Sequence, residues 1–145
     1  EFGVTYLPFD ELLAESDCVT LHAPYFPENH HMFNAGAFAR MKPTAYFVNT
    51  ARGRLVDEEA LCRALERGTI KGAALDVYEK EPNQIYPGLL ALDNVVLTPH
   101  AGSLTVPCRM AICAEALSGL TAIMEGRVPP NVVNPAVLQN RSPED

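Results

Sequence analysis

Short apolar runs alternate with stretches of helical periodicity along this chain. Gly3 to Leu7 predicts a short strand. Pro8 to Glu15 predicts a short helix, with Pro8 near its first turn and Asp10 and Glu11 placed where acids suit a helix N-terminus. Cys18 to His22 is a β-rich run ended by Pro24. Asn34 predicts the N-cap of a helix through Arg40, stopped at Lys42-Pro43. Ala45 to Asn49 is apolar on both parities, which predicts a strand buried on both faces. Asp57 then caps a helix over 57–67, with Glu58 and Glu59 in its first turn, Leu61, Ala64 and Leu65 on one face, and Gly68 as the stop. Strands follow near 72–77 and 95–98. An alanine-rich helix is expected over 105–125, with Pro107 tolerated in its first turn and Gly126 beyond its end. From Val128 the proline-rich tail reads as extended.

Strands alternating with helices imply crossovers and a parallel sheet, an α/β fold of Rossmann-like type with flanking helices. The domain reading is a compact part over residues 1–127 that includes the final long helix, then a tail over 128–145.

Composition adds limits. The net charge is −7 and the pI is about 5.0, so no clustered cations offer themselves to nucleic acid. Cys18, Cys62, Cys108 and Cys113 include no C-x-x-C pair, which argues against a metal site or a disulfide framework and for reduced thiols in the cytoplasm. No unbroken apolar run of membrane-spanning length is seen, so no membrane partner is expected.

Ligands of open α/β sheets bind beyond the carboxyl ends of the strands, and the polar residues collect there. His22 and Pro24 follow the first main strand, Asn49 to Gly53 the second, Asp76, Glu79 and Glu81 the third, and Thr98-Pro99-His100 the fourth. Taken singly, Arg52 also reads as a surface arginine, Glu81 as a loop acid, His100 as a satisfied strand-end residue and Asp76 as a structural hydrogen-bonding group. Together they suit hydride transfer at a 2-oxo acid. An arginine fork holds the carboxylate, a histidine protonates the oxygen that becomes an alkoxide, and a carboxylate fixes the histidine's tautomer. Hydride itself must come from a cofactor.

The series Asn49-Thr50-Ala51-Arg52-Gly53 with Leu55-Val56-Asp57, then Gly72 to Pro82, then Asn94 to His100, resembles the D-isomer-specific 2-hydroxyacid dehydrogenases. Leu21-His22-Ala23-Pro24 and Met41-Lys42-Pro43 resemble the same family. The resemblance implies Arg52 as substrate anchor and His100 as acid/base, with Glu81 rather than Glu79 as its carboxylate partner. It implies NAD or NADP as cofactor, with Asp76 at the nicotinamide carboxamide. Thr50 and Ala51 would line the nicotinamide pocket, with Arg52, His100 and Gly102 also at the cofactor. His22, Ala23 and Pro24 would lie toward the adenosine. No metal is implied.

The implied reaction interconverts a small D-2-hydroxy acid and its 2-oxo acid, and the implied parent is a homodimer. A dinucleotide-sensing corepressor of the same fold is the alternative. The chain reads as the C-terminal half of the nucleotide-binding domain, inactive and a weak NAD binder by itself. A G-x-G-x-x-G phosphate turn and a substrate domain are expected upstream, and the tail is expected to return to that domain. Thr44 and Ala101 depart from the family pattern at positions without a proposed catalytic role.

Overall fold

The computed structural model describes residues 3–82 and 84–140. Four strands run β1 (Cys18–Leu21), β2 (Tyr46–Asn49), β3 (Gly72–Leu75) and β4 (Val95–Leu97), and they pair in that order, all parallel. The register sets Cys18 beside Tyr46, Tyr46 beside Gly72, and Ala73 beside Val95. Helix α1 (Phe9–Glu15) precedes β1, α2 (Ala35–Arg40) links β1 to β2, and α3 (Glu58–Glu66) links β2 to β3. A 3-10 turn at Leu89–Ala91 leads into β4. Apart from the strand expected over Gly3 to Leu7, the expected strands and helices are present, each strand trimmed by one or two residues.

The caps explain the boundaries. Asn34 accepts from the N–H groups of Gly36 and Ala37, and Asp57 accepts from that of Ala60. Each satisfies donors that a helix start leaves without partners. Gly68 stops α3 at a φ of 66°, a conformation without steric cost for glycine.

Three expectations need correction within residues 1–102. Gly3 to Leu7 is not a strand: it has no ladder partner among the described residues and stays exposed. β2 is covered on one face only. Phe47 and Asn49 are buried, but Tyr46 is 45% exposed. Successive strands step in one direction across the sheet, so crossovers of one hand place α2 and α3 on the same face. On the other face the side chains of Tyr46, Val48, Ala74 and Val96 line an open shallow surface. Strands β1 and β3 also stop before His22 and Asp76, which leaves those residues in the turns.

The covered face holds the core. The Phe47 ring lies tilted against Phe33 and edge-on to Phe38, with centroids 4.6 Å and 5.4 Å away. Leu13, Leu55, Leu61 and Ile70 close around this trio and are fully buried. Phe9 of α1 joins the same cluster edge-on to Phe33 at 5.5 Å.

The chain divides into two compact units, Glu1–Gly102 and Ser103–Asp145. The packing break therefore falls before the last helix, whereas the change in composition falls at Val128. The second unit holds α4 (Val106–Met124), capped by Thr105 accepting from the Cys108 N–H and ended at Gly126 with a φ of 70°. The tail is not wholly extended, because Pro135–Asn140 forms a 3-10 helix; residues 141–145 lie outside the described residues. α4 is long and apolar enough to cross a membrane by length and composition, with a mean hydropathy of 1.3. Arg109 and Glu115 interrupt the apolar run without lowering that mean far.

Phe47→Ala should cost about 3–5 kcal/mol, the usual result of emptying a buried aromatic site. Urea unfolding followed by circular dichroism measures it, and a loss below about 1 kcal/mol would show that the aromatic trio is not the core.

Candidate functional site

Because all four strands are parallel, their carboxyl ends share one edge, and the turns after them meet there. The turns after β2 and β3 each carry a buried polar side chain. After β2, Asn49 is 1% exposed; its Oδ1 accepts from the Ala51 N–H at 3.0 Å and its Nδ2 donates to the Arg52 carbonyl at 3.0 Å. This closes the turn that presents Arg52 and its exposed guanidinium, which donates to the Ala51 carbonyl at 2.6 Å.

After β3, Asp76 is buried and its carboxylate reaches across to the next turn. It accepts from the Thr98 hydroxyl at 2.5 Å, the Ala101 N–H at 2.7 Å and the Gly102 N–H at 2.9 Å. The Thr98 hydroxyl first and the Ala101 N–H next hold its carboxyl below the ordinary range. Asp76 thereby frames the segment that carries His100. That residue takes a φ of 53°, a left-handed conformation uncommon for any side-chain-bearing residue. The Tyr78 hydroxyl donates to the Thr98 carbonyl at 2.8 Å and ties the same segment to the third turn.

The third turn carries Glu81. One of its oxygens accepts from the Tyr78 N–H, and the other meets His100 Nδ1 at 2.5 Å. Pro24, Tyr25, Arg52, Gly53, Glu81 and His100 line one cavity of about 470 Å³, together with Arg54, Val77, Tyr78 and Glu79. The structure thus brings Arg52, Glu81 and His100 together as expected. Glu79 is committed elsewhere, with Oε1 at 2.9 Å from His31 Nε2. His22 hydrogen-bonds the Thr20 hydroxyl at 2.9 Å just past β1. His22, Ala23, Thr50, Ala51, Asp76 and Gly102 lie on the same edge but do not line this cavity.

Fit to a nicotinamide dinucleotide can be judged from the hydrogen bonds. Asp76 accepts three bonds, and an ionised carboxylate offers about four acceptor positions, so one remains for a carboxamide N–H. The edge also offers the exposed Thr50 and half-buried Ala51. The residues fit the nicotinamide end. Gly36, Gly53, Gly68 and Gly72 fall in a helix, a turn, a helix stop and a strand, and build no phosphate-binding loop.

Sequence reasoning missed four contributors. Asn49 was legible as an Asx turn, since asparagine followed by small residues commonly closes one. Gly53 was not legible: a Cβ there would lie 1.9 Å from the Tyr78 carbonyl carbon, a contact between distant segments. Arg54 lines the cavity with its guanidinium 5.7 Å from the Tyr25 ring centroid. Glu58 was read only as a first-turn acid. No metal was expected, yet His30, His31 and Glu79 offer ligand atoms within 4.8 Å of one another. Their two rings are stacked at 3.8 Å, so their in-plane lone pairs run side by side rather than converging.

Residues 1–102 match the family model described as "D-isomer specific 2-hydroxyacid dehydrogenase, NAD binding domain". The chain belongs to that family. It is 48% identical over 143 residues to a glyoxylate reductase of Thermococcus onnurineus, covering 99% of this chain and 42% of that protein. Among solved structures it resembles the TT0316 protein of Thermus thermophilus, with a TM-score of 0.86 and 45% identity over 91% of this chain and 42% of that one. A D-lactate dehydrogenase of Lactobacillus jensenii, solved with NAD+, superposes with a TM-score of 0.81 at 33% identity, over 89% of this chain and 43% of that one. The chain therefore spans less than half the length of these relatives.

Asp76→Asn should cost about 1–3 kcal/mol near neutral pH, because an amide nitrogen would face the Gly102 N–H and leave it without an acceptor. Since folding lowers the Asp76 pKa from its ordinary 3.8, its stabilisation is present above that value. It fades as pH falls through the lower folded-state value. Unfolding curves of wild type and variant should therefore converge below pH 3.8, and a gap independent of pH would contradict the assignment.

Proposed function

We propose that this chain is part of an NAD(P)-dependent D-2-hydroxyacid dehydrogenase that interconverts a small 2-oxo acid, such as glyoxylate or hydroxypyruvate, and its 2-hydroxy acid. The observation that carries the reading is the His100–Glu81 pair at 2.5 Å in a cavity shared with Arg52. With Nδ1 engaged by Glu81, the His100 Nε2 is the nitrogen left for a substrate.

The Arg52 guanidinium holds the substrate carboxylate by two parallel N–H···O bonds, and that orients the neighbouring ketone. His100 stands at the ketone oxygen and gives its Nε2 proton as that oxygen becomes an alkoxide; in the reverse direction it removes the hydroxyl proton. Glu81 holds the ring in the tautomer this requires and offsets the charge of the imidazolium. NADH or NADPH would supply the hydride when bound, leaving the oxidised cofactor. Thr50, Ala51, Asp76 and Gly102 would hold its nicotinamide end, with Arg52 and His100 beside it and His22, Ala23 and Pro24 toward the adenosine. The family match and the shared fold of an NAD+-bound neighbour support that placement. Four free cysteines among the described residues suit a reducing compartment, in keeping with a cytoplasmic enzyme.

The test is steady-state reduction of glyoxylate or hydroxypyruvate by the full-length protein. His100→Ala should lower kcat by about 10²–10⁴, the usual range for general acid catalysis. Arg52→Lys keeps the charge but loses the fork, so KM should rise and kcat fall. Near-normal turnover in His100→Ala would overturn the acid/base role, whereas a wild type without turnover would favour a protein that only binds the dinucleotide.

A further inference from the structure

Among the described residues, the buried polar side chains are Asn49, Glu58 and Asp76. Asn49 holds the Arg52 turn and Asp76 holds the His100 segment, which leaves Glu58. It is the first residue of α3, where an acid suits the helix dipole, yet its carboxylate turns away from the helix and is only 7% exposed. Its Oε1 accepts from the Glu79 N–H at 2.7 Å. Glu79 stands two residues before Glu81 in the chain. One buried carboxylate therefore ties down the approach to the residue that meets His100.

We propose that Glu58 is a positioning residue for the reaction proposed above: its carboxylate anchors the segment that carries Glu81 and so keeps Glu81 against Nδ1 of His100. The proposal rests on that reading of the site. A buried carboxylate is costly unless it is hydrogen-bonded, and Glu58 makes its bond to a backbone N–H of another segment. Two further contacts brace the same segment: Glu79 pairs with His31 at 2.9 Å, and the Gln84 N–H donates to the Lys80 carbonyl at 3.2 Å. Lys80 and Glu79 are the charged side chains whose fields reach Glu58.

The experiment reads the tautomer of neutral His100 from its ring-nitrogen shifts in ¹⁵N-histidine-labelled protein, with the signals assigned by their loss in His100→Asn. In the wild type, Nδ1–H should dominate, because Glu81 accepts there. Glu58→Ala should move most of the population to Nε2–H, as Glu81→Ala should do directly. Glu58→Gln keeps one acceptor oxygen and the side-chain shape, and should restore at least half of the Nδ1–H population. Asp57→Ala removes the neighbouring cap and should lower stability without moving the tautomer, which separates positioning from a general loss of structure. If Glu58→Ala does not fold, Glu58→Asp carries the same test by withdrawing the carboxylate one methylene. An unchanged Nδ1–H population in whichever of these two folds would overturn the positioning role while leaving the proposed reaction intact. A wild type already in the Nε2–H form would overturn the Glu81–His100 pairing beneath both proposals.

Discussion

The turn after β2 touches the turn after β3 backbone to backbone, at Gly53 against Tyr78 and Glu79. A Cβ at position 53 would fall 1.9 Å from one atom and 2.3 Å from another, both of them main chain. No side-chain rearrangement relieves such a clash, so this position admits glycine alone. The approach sets the spacing of the site, since Arg52 precedes this glycine by one residue and Glu81 follows Tyr78 by three. A cavity with a guanidinium on one wall and a paired imidazole on the other exists because two loops are in main-chain contact.

The three buried polar groups convert that spacing into orientation. Each hydrogen-bonds backbone groups of a rim turn: Asn49 on the Arg52 turn, Glu58 on the approach to Glu81, and Asp76, which also takes the Thr98 hydroxyl, on the segment that carries His100. The functional side chains themselves are comparatively open, His100 being 54% exposed. Rigidity thus comes from below the site, while the reactive atoms remain accessible. Burial raises the Glu58 pKa, whereas hydrogen bonding lowers that of Asp76. The two anchors consequently respond to acid in opposite senses: the penalty for ionising Glu58 is relieved as pH falls, and the stabilisation from Asp76 is lost.

Much of this was legible in the sequence. The strand–helix alternation, the caps at Asn34 and Asp57, the stop at Gly68 and the grouping of Arg52, Glu81 and His100 all follow from local patterns or from family-like motifs. What failed was non-local. Gly3 to Leu7 has strand composition but no neighbour to pair with. The apolar residues on both faces of β2 predicted cover on both sides, yet both helices fall on one face. Gly53 and Glu58 act on residues more than twenty positions away, and nothing in their own neighbourhood signals it. The tail's prolines suggested an extended chain, but they do not prevent the 3-10 turn at Pro135–Asn140.

The central claim is that close approach at Gly53 assembles Arg52 with the Glu81–His100 pair into one catalytic unit. Its most direct test is Gly53→Ala in the full-length protein, read by glyoxylate reduction alongside circular dichroism. Misplacing reacting groups by about 1 Å costs on the order of 10²-fold, so kcat/KM should fall at least that far while the secondary structure persists. A folded Gly53→Ala variant that turns over at the wild-type rate would contradict the account.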